Sequence, residues 1–264
     1  MKIVVLVKHV PDAAGDRGFA ADRTTDRAAV EGRLSELDEY AVEQALQLVE
    51  KAGEGEIFFL TMGPADAGEA LRKALSMGGD AAYHVSDDAL HGSDALATSL
   101  VLAKAIEKIR DEQGGLDLVV TGMASTDATM SVVPAMLSER LGLPGLTMAS
   151  SLSVEGGVVT IRRDDDDAST TVTASLPALV SVTDQTGEAR YPSFKGIMAA
   201  KKKPLTAWSL GDLGVDAGSV GLGSAWSVVK DATKRPPRQA GVVVKDEGDG
   251  GVKLAEFLAT GKFI

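Results

Sequence analysis

Short runs of apolar residues, spaced by segments of helical period, constrain this chain more than anything else in it. Ile3–Val7, Ile57–Met62, Ala81–Val85 and Leu116–Thr121 are too continuously apolar to alternate between a core face and a solvent face. Strands of that kind are buried on both sides, which requires a parallel sheet covered by helices. The intervening segments supply the helices. Ser35–Lys51 carries an apolar stripe of Leu37, Val42, Ala45, Leu46 and Val49, with Ser35 and Asp38 as N-cap candidates and Glu36 and Glu39 at the positive end. Ala65–Met77 ends at Gly78-Gly79, and Ser93 caps a helix to about Arg110. Ser131–Leu141 closes at Gly142.

The pattern changes on either side of this block. Asp12–Arg33 is polar without a period and reads as a long loop holding a short hairpin. After Pro144, Val158–Arg162 and Ser169–Ser175 alternate around Asp164–Asp167, an antiparallel hairpin, and Leu176–Val182 is a further strand. From about Ala232 the chain holds Pro236-Pro237, glycine-rich polar residues and a short helix over Val252–Ala259. The expectation is an α/β domain over residues 1–231 and an extended C-terminal arm over 232–264.

Composition narrows the function. Twenty-seven basic residues against 38 acidic ones leave a net charge of −11, which repels a phosphate backbone, so nucleic acid is not an expected partner. Without cysteine there is no disulfide, thiolate metal site or thiol nucleophile, and any redox chemistry must reside on a borrowed cofactor. The apolar run after Lys2 is too short for a signal core or a membrane span, so a soluble, cytoplasmic protein without membrane insertion is expected. His9, His84 and His91 have no metal-binding spacing, and His84 in its strand reads as a packing residue. Asp164–Asp167 lacks the pattern of a calcium loop and reads as a solvated turn. No Gly-x-Gly-x-x-Gly, Walker A or Gly-x-Ser-x-Gly motif occurs.

Two segments carry chemistry. Thr121–Ser131 lies between a strand and a helix, and its Gly122 admits close backbone approach while Ser125, Thr126, Thr129 and Ser131 offer hydroxyls. It reads either as simple helix capping by Ser125, Asp127 or Thr129, or as a phosphate site at the start of the following helix. Arg190–Lys203 sets Phe194, Ile197 and Met198 in a loop-like context with Pro192 and Gly196, beside four lysines. It reads as a solvated face or as a docking knob with a basic rim.

Val5–Pro11, Glu39–Ala45, Gly63-Pro64 with Arg72–Gly78, Leu141–Pro144 and Arg190–Lys203 come in the order and form of one family. Together they resemble the beta subunit of electron transfer flavoprotein. The resemblance implies a Rossmann-like parallel sheet sandwich of the adenine nucleotide alpha-hydrolase type, with a β-hairpin insertion and an arm that embraces a larger alpha subunit. It implies FAD held mostly by the alpha subunit and a structural AMP in the beta subunit. By position, the AMP pocket takes Leu6, Ser35, Glu36, Leu37, Asp38 and Met62, then Gly122, Met123, Ala124, Ser125, Thr126, Asp127, Ala128, Thr129, Met130, Ser131, Val132 and Val133. The recognition segment is Tyr191, Phe194, Lys195, Gly196, Ile197 and Met198.

The commonest form of that pocket has Gln-Ala-Ile-Asp, with a second acid two residues later and a further Gln. Here Ala124-Ser125-Thr126-Asp127 is followed by Thr129 and Val132, so contacts through backbone N–H groups persist and those side-chain contacts do not. The implied function is an electron shuttle from flavin dehydrogenases, such as acyl-CoA dehydrogenases, to a quinone oxidoreductase, with no catalytic residue of its own. Two alternatives stand beside it. One is a bifurcating relative with a second FAD in place of AMP, near a helix start at Ser93–Ser99; the other is a free-standing adenine-nucleotide-binding regulatory module.

Overall fold

The computed structural model describes residues 1–238 and 241–264. In chain order the first elements are β1 (Lys2–Leu6), β2 (His9–Pro11), β3 (Gly32–Leu34), α1 (Glu36–Ala52), β4 (Glu56–Met62), α2 (Gly68–Met77), β5 (Ala81–Val85), α3 (Ala95–Gln113) and β6 (Leu118–Gly122). There follow α4 (Val133–Leu141), β7 (Gly145–Ala149), β8 (Ser151–Glu155), β9 (Val158–Asp164), β10 (Ser169–Ser175), β11 (Ala178–Val182), α5 (Phe194–Ala200), β12 (Leu205–Trp208) and α6 (Gly250–Thr260). Seven strands form one parallel sheet in the order β12-β5-β4-β1-β6-β11-β7. The chain divides into two compact units, Met1–Lys230 and Asp231–Ile264.

The apolar runs behave as their composition dictates. Ile3, Val5 and Phe59 face α1 and α2, while Val4, Phe58 and Leu60 face α3 and α4. Phe59 and Leu60 are fully buried on opposite faces. Each such side chain contributes about 1.5–3 kcal/mol by leaving water. Helix ends follow ordinary capping physics. Gly53 and Gly114 adopt the left-handed conformation past α1 and α3, and Asp94 accepts from the Ala97 N–H at 3.0 Å to start α3. Asp94, not the adjacent Ser93, is therefore the cap, and Ser93 Oγ instead accepts from the Gly221 N–H at 2.9 Å.

Several elements differ from the sequence expectation. The predicted hairpin is a three-stranded meander, β8-β9-β10, whose Val159 and Ile161 join the core on the α1 side. The sheet also gains β7 and β12 at its two edges, where a strand needs only one neighbour and its sequence carries a weaker apolar signal. Helix α4 starts at Val133, not Ser131, because Thr129 and Ser131 have φ of 50° and 56° and cannot continue a right-handed helix. The stretch around Phe194, which Pro192 and Gly196 predict to be loop-like, is a short helix, started by Ser193 Oγ accepting from the Gly196 N–H at 3.0 Å. His84 is buried in β5, with Nε2 3.0 Å from the Gly63 carbonyl. Asp164–Asp167 form a turn in which Asp165 accepts from the N–H groups of Asp167 and Ala168.

Candidate functional site

From β1 the chain runs outward to β4 and β5, then returns to β6 on the other side of β1. In an open parallel sheet, the crevice at the C-terminal ends of two such strands is where ligands bind. Three segments meet there. Val7 and Lys8 leave β1, Ser35–Asp38 open α1, and Gly122–Asp127 leave β6. The Ser35 N–H donates to the Lys8 carbonyl at 2.9 Å, and the Lys8 N–H donates to Asp38 Oδ2 at 2.8 Å. Gly122 closes the triangle. A Cβ there would lie 2.6 Å from Asp38 Oδ1 and 2.7 Å from the Leu37 carbonyl oxygen, so no larger residue fits without moving the start of α1.

Asp38 does not cap its helix. Its buried carboxylate is spent on the N–H groups of Lys8 and Gly122, yet burial outweighs both and pushes its pKa up to about 7. The native state therefore binds the extra proton between the ordinary value of 3.8 and about 7, and stability falls as pH rises through that window. Ionised Asp38 costs roughly 4 kcal/mol at pH 8 relative to pH 4. Melting temperature measured from pH 5 to pH 8 should fall, and Asp38→Asn should flatten much of that slope. An identical slope in both proteins would refute the assignment.

Asp127 behaves oppositely. Its side chain is 3% exposed, with Lys8 Nζ at 2.8 Å and Arg27 Nη2 at 3.2 Å. Burial raises its carboxyl, but Lys8, Ser125 and Arg27 together hold it below the ordinary range. Arg17 Nη1 donates to the Thr126 carbonyl at 2.8 Å and Arg27 Nη1 to the His9 carbonyl at 3.1 Å, which straps the 12–31 loop across the crevice. Lys8 and Arg27 both pair with Asp127, so that trio carries one net positive charge. From Ala124 to Ser131, only the Thr129 N–H donates to a backbone carbonyl among the described residues, to Ser125 at 2.9 Å. Ser35 Oγ is buried without a hydrogen-bond partner. Loop N–H groups without a carbonyl partner, an orphaned hydroxyl and the net positive Lys8–Arg27–Asp127 trio fit the phosphate end of a nucleotide.

The structure thus brings together Leu6, Ser35, Leu37, Asp38 and Gly122–Asp127. Glu36 turns outward, with Arg33 Nη1 at 3.6 Å from its carboxylate. Met62 ends the neighbouring strand β4, and Ala128–Ser131 are exposed on the way to α4. Asp127 and Thr129 precede α4 by several residues and do not sit at its start, so the candidate phosphate site lies on a loop and not at a helix N-terminus. Lys8, Arg17 and Arg27 were absent from the sequence-based set. Lys8 lay inside the Val5–Pro11 motif, whereas the arginines belong to an aperiodic loop with no readable signal.

The second segment stands apart from the sheet. Tyr191 is 94% and Phe194 81% exposed, with Ile197 and Met198 about half exposed on the same short helix α5. Gly196 lets α5 lie against α2, since a Cβ there would be 2.3 Å from the Ser76 carbonyl oxygen. Arg72 Nη1 donates to the Ala200 and Lys203 carbonyls at 2.7 and 3.0 Å. Lys203 Nζ donates to the Leu75 and Gly78 carbonyls at the end of α2, so it serves structure and leaves Lys195, Lys201 and Lys202 as the exposed rim.

A parallel sheet wound outward in both directions from β1, with a crevice at the switch point, defines a Rossmann-like α/β class. Comparison with known proteins makes this more specific. The family model described as "Electron transfer flavoprotein domain" matches residues 23–213. The chain is 47% identical over 99% of both chains to the electron transfer flavoprotein subunit beta of Mycobacterium leprae (strain TN). It is 33% identical to that of Megasphaera elsdenii, over 94% of this chain and 93% of the relative. It is 31% identical to the caffeyl-CoA reductase-Etf complex subunit CarD of Acetobacterium woodii, over 92% of each. The chain belongs to the electron transfer flavoprotein beta-subunit family. Among the described residues no helix is long and apolar enough to cross a membrane.

Proposed function

We propose that this chain is the beta half of a two-subunit electron carrier that accepts electrons from flavin dehydrogenases, such as acyl-CoA dehydrogenases, and passes them to a quinone oxidoreductase. The observation that carries this reading is α5: bulky apolar side chains held out in water on a braced helix, with lysines around them, in a member of this family. Large exposed apolar residues rimmed by charge are what a docking surface presents. FAD, held mainly by the alpha subunit, supplies the redox chemistry when bound. This chain's residues bind, orient and dock, and none is assigned a bond-making role.

The crevice between β1 and β6 is proposed to hold AMP. Backbone N–H groups of Ala124–Asp127 take the phosphate, Lys8 and Arg27, held in place by Asp127, leave one net positive charge to balance it, and the Ser35 hydroxyl is free to donate. The rival with a second FAD near α3 is less favoured, because Asp94 already occupies that helix start. Its carboxylate accepts from the N–H groups of Ala97, Trp226 and Ser227.

The test is the nucleotide content of the chain purified with its alpha partner. One FAD and one AMP per pair is expected, and two FAD would replace this reading with the bifurcating one. Gly122→Ala should lose nearly all AMP, because the new methyl displaces the start of α1. Thr129→Ala should lose only a modest share, because the cradle is backbone. Equal retention in both variants would remove the cradle argument.

A further inference from the structure

We infer that Arg190 is a positioning residue for partner docking, locking the root of the Tyr191–Met198 segment onto helix α1. This rests on the reading that the segment docks a flavin dehydrogenase. The guanidinium of Arg190 spans two carboxylates two turns apart on one face of α1. Nε and Nη2 donate to Glu43 at 2.7 and 3.0 Å, and Nη1 and Nη2 donate to Glu50 at 2.5 and 3.0 Å. The Arg190 backbone N–H adds a fifth bond, to Glu43 Oε2 at 3.1 Å.

Glu43 is not a loose surface acid. Its side chain is 7% exposed and also accepts from Gln47 Nε2 at 2.8 Å. Burial raises its carboxyl, but the bonds from Arg190 and Gln47 more than offset this and hold it below the ordinary range. Exposed single pairs fix little, whereas a planar fork engaged on two carboxylates, one of them buried, fixes direction as well as distance. Gln44 Nε2, on the same helix, donates to the Thr186 carbonyl at 3.2 Å and holds the turn that leads in. Beyond Arg190, Tyr191 and Pro192 make no hydrogen bond among the described residues until Ser193 caps α5. The angle at which Phe194 leaves the body is therefore set by Arg190 on one side and by the packing of α5 on α2 on the other. An anchor held in its bound orientation loses less freedom on docking, so its affinity depends on that lock.

The experiment uses the chain purified with its alpha partner and a flavin dehydrogenase as electron donor. Arg190→Lys keeps the charge and loses the fork. Glu43→Gln with Arg190→Gln removes the lock without stranding a buried carboxylate. Both should raise the KM for the carrier tenfold or more with kcat within twofold and the flavin absorbance unchanged. Tryptic cleavage after Lys195 should become several-fold faster. A merely structural role would lower the melting temperature without moving KM or that cleavage, and this outcome overturns the inference. A raised KM with unchanged cleavage also overturns it, since charge and not placement would then be the cause. If the double variant fails to fold, Arg190→Lys decides alone. Phe194→Ala runs in parallel. If it raises KM while the Arg190 variants do not, only the lock is wrong; if it leaves KM unmoved, the docking reading itself falls.

Discussion

Phe194→Ala should cut the rate at which a flavin dehydrogenase reduces the two-subunit complex by about 30-fold at sub-saturating carrier, with the flavin spectrum and reduction by dithionite untouched. Phe194 is 81% exposed, so its replacement removes little from the fold. An aromatic anchor seated at the centre of an interface contributes about 2 kcal/mol or more, which corresponds to that factor. Lys195, Lys201 and Lys202 act differently. Under the docking proposed above they would steer acidic partners, so their replacement should lower the association rate and its salt dependence more than the final affinity. Stopped-flow reduction at two ionic strengths separates the two effects. A normal rate for Phe194→Ala with every donor tested would mean that the protruding helix is not the docking element.

Truncation after Lys230 should leave the α/β unit folded and weaken its association with the alpha subunit at least a hundredfold. The Asp231–Ile264 unit carries Val252, Leu254, Phe257, Phe263 and Ile264 in exposed positions, with Phe257 and Phe263 rings 6.2 Å apart. Large apolar side chains contribute about 1.5–3 kcal/mol each when buried, so two of them seated on a partner account for the expected loss. Residues 239–240 of this arm lie outside the described residues. Circular dichroism reports the fold and analytical ultracentrifugation the association. Unchanged subunit affinity would exclude an arm that holds the pair together.

Much of this architecture is readable from residues alone, and the exceptions share a cause. Ile3–Val7 and Ile57–Met62 announce themselves because a strand buried on both faces has no room for polar residues. Leu205–Trp208 does not, because β12 is an edge strand whose Thr206 and Ala207 are exposed. Pro192 and Gly196 disguised α5 as a loop, although Ser193 is an ordinary cap and Gly196 is a contact with α2. Asp38 looked like a helix cap, and its real partners arrive from β1 and β6, which no local pattern reveals. The left-handed Thr129 and Ser131 likewise displaced the start of α4. The crevice was legible as a place, through Gly122 and the motifs on each side of it. Its charges were not, since Arg17 and Arg27 reach it from a loop without periodicity.

Helix α5 occupies an unusual place in the chain's route. It lies on the crossover that leaves β11, next to one edge of the sheet, and delivers the chain to β12 at the other edge. Only Ala200 of the helix is buried, while Arg190, Gly196, Arg72 and Lys203 fix the path from beneath. Support and display are thus carried by different residues. Under the docking proposed above, the outward side chains at 191, 194, 197 and 198 can be exchanged without disturbing the sheet, and a change of client becomes a change of lettering on a fixed signpost. Swapping those four residues alone for those of a carrier with a different dehydrogenase should transfer its preference.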